Sequence, residues 1–170
     1  MGIKDYNGVR YSHAFPSKEY KEFRRYSKDW EKTYFDKRTG GFVVTHKERV
    51  ASGNASPNEK EKFLIEQDMA VDLAKMGHKI EHLSDKNRRP KNTYDVTFNG
   101  ERAEFKNCTH NNEKRYIRKA IKEQGARVVV VRFKENTNKK KAIEELRSAK
   151  NQYRRKILYY YQSEGILREI

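Results

Sequence analysis

The chain has 170 residues, 37% of them charged and 35% hydrophobic, with 11 Tyr, 8 Phe and a net charge of +15. That length suits one domain with short extensions. The single cysteine, Cys108, excludes an intramolecular disulfide and a zinc site built from cysteine pairs, and no apolar run approaches the length of a membrane span. Solubility alone asks for a net charge of only about 2–8 in a small domain. The excess points to an anionic partner, with nucleic acid first and unspecific polyanion binding as the open alternative. Lys and Arg cluster at 21–28, 86–91, 114–122, 139–141 and 154–156. One cysteine and no apolar N-terminal stretch lead us to expect a cytoplasmic protein without a signal peptide, or one carried elsewhere by another machine.

In chain order, residues 1–16 read as a polar and aromatic arm. Ser17 is placed to cap a basic helix to about Asp29, with Tyr20, Phe23 and Tyr26 at spacing three. Trp30–Phe35 and Phe42–His46 are β-prone runs around the glycine-containing turn Asp36–Gly41, which predicts a hairpin. After a polar loop over 51–58, a helix is expected from about Asn58 to Met76, ended by Gly77. Lys79–Leu83 reads as a strand and Ser84–Asn92 as a basic loop. Thr93–Phe98 and Arg102–Asn107 read as strands joined by the tight turn Asn99-Gly100. A helix over about Asn112–Gln124 and a strand over Arg127–Phe133 follow; the unbroken valines imply burial on both faces. From about Lys139 the chain reads as basic helix carrying the cluster Tyr159–Tyr161. The expected class is α/β, a mixed β-sheet flanked by helices, with basic helical N- and C-terminal extensions. The expected division is 1–40 (arm, helix and start of the hairpin), 41–135 (α/β core) and 136–170 (basic helical extension).

Strand alternation locates the candidate chemistry. Tyr94, Val96 and Phe98 share one face, Asp95 and Thr97 the other. Ala103 and Phe105 face the core, so Glu104 and Lys106 point together the opposite way. The turn at Asn99-Gly100 makes the two strands neighbours, which brings Asp95 towards Glu104 and Lys106. Carboxylates are hard oxygen ligands for Mg²⁺ or Mn²⁺ shared with a phosphate. The ion acidifies a bound water and polarises the phosphoryl oxygen, and an adjacent lysine can orient that water or neutralise developing charge. The plain alternative is a hairpin with a polar outer face.

Two helices add candidates. Glu66 lies on the apolar stripe of Phe63, Ala70, Leu73 and Ala74. A carboxylate there needs a cation, a metal or water, so it is either half of an ion pair or a third acidic group at the site. Gln124, seven residues after Ile117 on the stripe with Ala120 and Ile121, either binds substrate or a water, or caps the helix near Gly125. Arg88, Arg89, His110, Lys114, Arg115 and Lys119 are candidates to hold phosphates, against solvated charge or a plain loop histidine. His46 is a hairpin histidine, and Cys108 reads as a small buried residue.

The order of a helix with Glu66, a strand, the Asp95 strand, the Glu104-Phe-Lys106 strand, a helix and a strand resembles the PD-(D/E)XK nuclease superfamily, although Tyr94 stands where that family has proline. Gly40-Gly41 to Phe133 is similar to the C-terminal tRNA-nuclease domain of contact-dependent growth inhibition toxins. The likeness runs through Gly40–Val44, Ala70 to Gly77, Tyr94-Asp95-Val96 and Glu104-x-Lys106. It extends to domains of Bacteroides-type phage head-morphogenesis proteins and leaves out 1–30 and 140–170. The resemblance implies a restriction-endonuclease-like sheet, Glu66, Asp95 and Glu104 as ligands of Mg²⁺ (or Mn²⁺), and Lys106 as the catalytic lysine. The expectation is a metal-dependent endonuclease. It would be either a toxin-like RNase, with tRNA a candidate substrate and an acidic immunity protein a candidate partner, or a phage-associated DNase. Two alternatives stay open: a non-catalytic nucleic-acid-binding protein that keeps the fold, virion- or genome-associated, and a metal-independent barnase-like RNase using His46, His110 and Lys106. No membrane partner is expected.

Overall fold

A computed structural model describes residues 3–4, 10–11, 14–50, 56–84, 96–108, 114–115, 117–119, 125–134 and 138–170. Strands β1 (Ile3–Lys4) and β2 (Arg10–Tyr11) pair as a small antiparallel ribbon. Then come α1 (Ser17–Arg25), β3 (Trp30–Phe35), β4 (Phe42–His46), α2 (Lys47–Val50), α3 (Pro57–Lys75), β5 (Lys79–His82), β6 (Val96–Phe98) and β7 (Glu101–Cys108). Residues 114, 115 and 117–119 are helical. The chain closes with β8 (Val128–Phe133), α4 (Lys139–Tyr153), β9 (Lys156–Tyr161) and β10 (Arg168–Glu169). Strands β3 to β10 form one eight-stranded sheet in sequence order. It is mixed: β4–β5, β7–β8 and β8–β9 are parallel and the other neighbours antiparallel. The protein is therefore α/β, an eight-stranded mixed sheet flanked by helices.

Local chemistry sets the frame of α3. Ser56 and Glu59 form a reciprocal capping box with Pro57 in the first turn. At the other end Gly77 takes φ 94°, and the amides of Gly77 and His78 close on the carbonyls of Ala74 and Leu73. Gly41 lets β4 pass beneath this end, since a Cβ there would stand 1.9 Å from the Ala74 carbonyl oxygen. Asn99 and Gly100, at φ 48° and 86°, make the hairpin turn between β6 and β7.

The sheet has two unlike faces. On one, Met69, Ala70, Leu73 and Ala74 of α3 cluster with Val43, Ile80, Val96, Ala103, Phe105, Val128 and Val130. On the other, Ala142, Leu146 and Ala149 of α4, with Ile117, cover Val129, Val131, Phe133 and Ile157. Phe23 of α1 packs on Phe42 and Val44. Because Phe42 and Val44 alternate with Val43, α1 lies on the same face as α4. All six residues of β8 are buried, as the valine run implied.

Two elements differ from expectation. The tyrosine cluster lies on a strand, not on a helix: Arg154 leaves α4 in the left-handed region, and residues 156–161 enter the sheet beside β8. Their aromatic and branched side chains alternate between the two cores, Tyr160 on the α3 side and Tyr161 on the α4 side. The basic helix expected from Lys139 is present to Tyr153, but the rest of the C-terminal part is not helical, because β9 and β10 complete the sheet. Ser17 is the first residue of α1, which follows Pro16 without a side-chain cap and ends at Arg25, four residues short of Asp29.

Candidate active site

β7 alternates as expected. Ala103 and Phe105 turn to the α3 core, so Glu104 and Lys106 turn to the opposite face, the one that carries α1 and α4. A solvated hairpin would leave these charges wet. Instead the Glu104 side chain is 2% exposed and that of Lys106 11%, with Lys106 Nζ donating to Glu104 Oε1 at 2.8 Å. Glu104 Oε2 takes no hydrogen bond from any described residue. A buried ion pair is seldom a net source of stability, so its presence asks for another reason.

The neighbouring strands add polar groups to this face. Thr97 stands opposite both Glu81 on β5 and Arg102 on β7. Thr97 Oγ1 donates to Glu81 Oε1 at 2.8 Å, and the hydroxyl of Tyr26, just past α1, donates to Glu81 Oε2 at 3.1 Å. Burial first, then the charge of Glu81, holds the Tyr26 hydroxyl far above its ordinary value, so it stays a proton donor. Glu81 was not among the sequence candidates. Alternation over Lys79–His82 was the available signal, since Ile80 belongs to the α3 core and Glu81 must face away from it.

The other candidates are divided. Glu66 is buried on α3, as its stripe position required. Arg49 Nη2 lies 3.2 Å from Glu66 Oε2 and Lys62 Nζ 3.8 Å from Oε1. The ion pair is therefore present, on an element that packs against the face opposite Glu104. Lys114, Arg115 and Lys119 are exposed and flank Ile117, which belongs to the α4-side core. Asp95, Gln124, Arg88, Arg89 and His110 lie outside the described residues. β6 pairs with β7 up to Val96 opposite Ala103. His46 is on β4, three strands from β7, about 14 Å at ordinary strand spacing. Cys108 is buried, as expected.

A second polar cluster was missed altogether. Arg132 of β8, 5% exposed in its side chain, meets Asp68 at 2.6 Å and Asp72 at 3.2 Å and donates from Nε to Asn107 Oδ1 at 2.9 Å. Tyr160 donates to Asp72 at 2.8 Å. The four-residue spacing of Asp68 and Asp72 was the available signal. On the same face, three strands away on β5, His82 is wholly buried, with neither ring nitrogen hydrogen-bonded and its ring edge-on to Phe63.

Among the described residues no group of three or more His, Cys, Asp or Glu side chains could hold a metal ion. Glu104 fits a hard cation as one carboxylate donor with an uncommitted oxygen; a complete site needs donors beyond it, and Asp95 is the sequence candidate. Among the described residues, no helix is long and apolar enough to cross a membrane. Compared with protein-family models, curated proteins and solved structures, the chain matches none of them.

Proposed function

We propose that the chain is a metal-dependent nuclease whose site lies on β7. The observation that carries this is the nearly buried Glu104–Lys106 pair, on the face shared with the two basic helices. The order α3, β5, β6, β7, the helical residues 114, 115 and 117–119, and β8 is the order on which the superfamily resemblance rests, and it supports a restriction-endonuclease-like reading of the sheet.

Asp95 and Glu104 are the residues that would hold Mg²⁺ or Mn²⁺. Glu66, held by Arg49 and Lys62 on the opposite side of the sheet, is not one of them. The ion, when bound, would acidify a water and polarise the phosphoryl oxygen. Glu104 fixes the Lys106 ammonium, which then meets a phosphate already oriented, without the reorganisation a free surface lysine would undergo. In this reading the substrate is nucleic acid, either structured RNA such as tRNA or DNA. An acidic immunity protein belongs to the toxin-like version, and carriage in a phage particle to the other. A second reading, a nucleic-acid-binding protein that keeps the fold without cutting, is favoured by the unpaired basic face of α4 described below.

The test is cleavage of a mixed RNA and DNA panel with Mg²⁺, Mn²⁺ or EDTA. Metal-dependent cutting should fall about a hundred- to a thousandfold in Lys106→Ala and vanish in EDTA. Cutting that survives both overturns the proposal, and salt-sensitive binding without cutting under any ion moves it to the second reading.

A further inference from the structure

Most charges inside this protein are answered within it. Arg132 has Asp68 and Asp72, Arg49 has Glu66, Lys106 has Glu104, Lys79 has Glu22 and Arg168 has Glu164. Some exposed basic side chains lack such partners among the described residues, on α1 (Lys18, Lys21, Arg24 and Arg25) as on α4. From Lys139 to Lys156 the sequence carries eight basic and two acidic side chains. Lys139 is paired with Glu164, but Lys140, Lys141, Arg147, Arg154 and Arg155 have no carboxylate within ion-pairing distance among the described residues, and all are exposed.

Ala142, Leu146 and Ala149 fix the inward stripe of α4. Lys140 and Arg147, seven residues and two helical turns apart, lie on the outward side of α4, and the exposed Arg154 follows at its C-cap, so the three span about 21 Å. Over that length a nucleic-acid duplex presents about twelve phosphate charges. Arg154 also takes φ 49° and ψ 41° at the C-cap, where glycine would avoid the clash of a Cβ. An arginine here has a conformational cost, and its side chain is what is gained.

We infer that α4 grips the phosphodiester backbone of nucleic acid through the row Lys140, Arg147 and Arg154, on the sheet face that holds Glu104 and Lys106. This rests on the nucleic-acid reading above but not on cleavage. An unpaired cationic row bordering that face suits a polyanion whose charges repeat along its length, and the row makes α4 the docking element of the substrate.

The test is binding of a fluorescein-labelled duplex of about 20 base pairs, as RNA and as DNA, in EDTA, read by anisotropy across a salt series. Lys140→Gln, Arg147→Gln and Arg154→Gln combined should weaken binding at least tenfold. They should also lower the slope of log K against log salt by about 2–3, near 0.9 for each lost contact. A control with Lys37→Gln, Lys60→Gln and Lys75→Gln removes the same charge elsewhere and should change affinity less than threefold. Arg154→Gly alone should bind more weakly with a lower slope, yet melt about 2–4 °C higher. Unchanged binding in the triple variant, or equal loss in the control, overturns the inference. So does competition by poly-glutamate, charge for charge, as strong as by unlabelled duplex, which would assign the row to an acidic protein. If duplex binding follows these expectations and no cleavage occurs under any ion, the nuclease reading fails and this one stands.

Discussion

The two faces of the sheet hold their buried charge differently. On the α3 face, buried polar groups close on each other: Arg132 is bracketed by two aspartates, Asn107 and, through Asp72, by Tyr160, and Glu66 is held by Arg49. On the other face the Glu104–Lys106 pair sits nearly buried on β7 and Glu81 accepts from Thr97 and Tyr26, while Lys140, Arg147 and Arg154 are exposed with no carboxylate partner among the described residues. Paired charges fix a helix on a sheet; unpaired ones keep their electrostatic free energy for something that arrives from outside. We expect substitutions on the α3 face to change stability and those on the other face to change cleavage and binding.

Lys106→Ala, with its loss of cleavage, is the largest effect expected on the second face, and the α4 row is next. On the first face, Arg132→Met should destabilise the fold by about 3 kcal/mol, the low end for removing one partner of a buried pair, because Asp68 is largely exposed and Asp72 is left without its guanidinium. Urea denaturation reads this directly, and a variant that melts like the wild type would erase the contrast between the faces.

A smaller effect concerns His82. Burial first, then the nearby Arg49, pushes its pKa from 6.5 down to about 3, so it is neutral in the folded protein. Between those values the unfolded chain binds the extra proton. The stability tied to neutral His82 is therefore complete above about pH 6.5 and is lost as pH falls towards about 3, at no more than about 1.4 kcal/mol per pH unit. His82→Leu breaks no hydrogen bond, since neither ring nitrogen makes one. It should leave stability at pH 7 nearly unchanged and flatten the curve between pH 6 and 4 when unfolding is followed in urea. A curve with the same slope in both proteins would assign the acid sensitivity to other groups.

What the sequence made legible was local. Gly77 ends α3, Asn99-Gly100 turns the hairpin, and alternation separates Glu104 and Lys106 from Ala103 and Phe105. Each needs only a few consecutive residues. The stripe argument also put Glu66 inside, but the identity of its partner did not follow, because Arg49 stands 17 positions earlier on another element. Arg132 and Asp68 are 64 positions apart, and Arg132 read simply as part of a strand. Residues 156–161 were misread because lysines and arginines before them extend a helical pattern that Arg154 ends, while the partner that makes them a strand, β8, lies more than twenty residues upstream. The site itself was legible in its β7 half; its Asp95 half lies outside the described residues.

The central claim is that the β7 pair serves phosphodiester chemistry. Glu104→Gln tests it most directly, because the amide keeps an acceptor for Lys106 while removing the carboxylate. Cleavage of one labelled substrate should be titrated with Mg²⁺ and with Mn²⁺, for the wild type and this variant, with melting followed in parallel. The account predicts metal-dependent cutting in the wild type and loss of about a hundredfold or more in the variant, with Tm shifted by no more than a few degrees. Cutting at the wild-type rate by folded Glu104→Gln would contradict it.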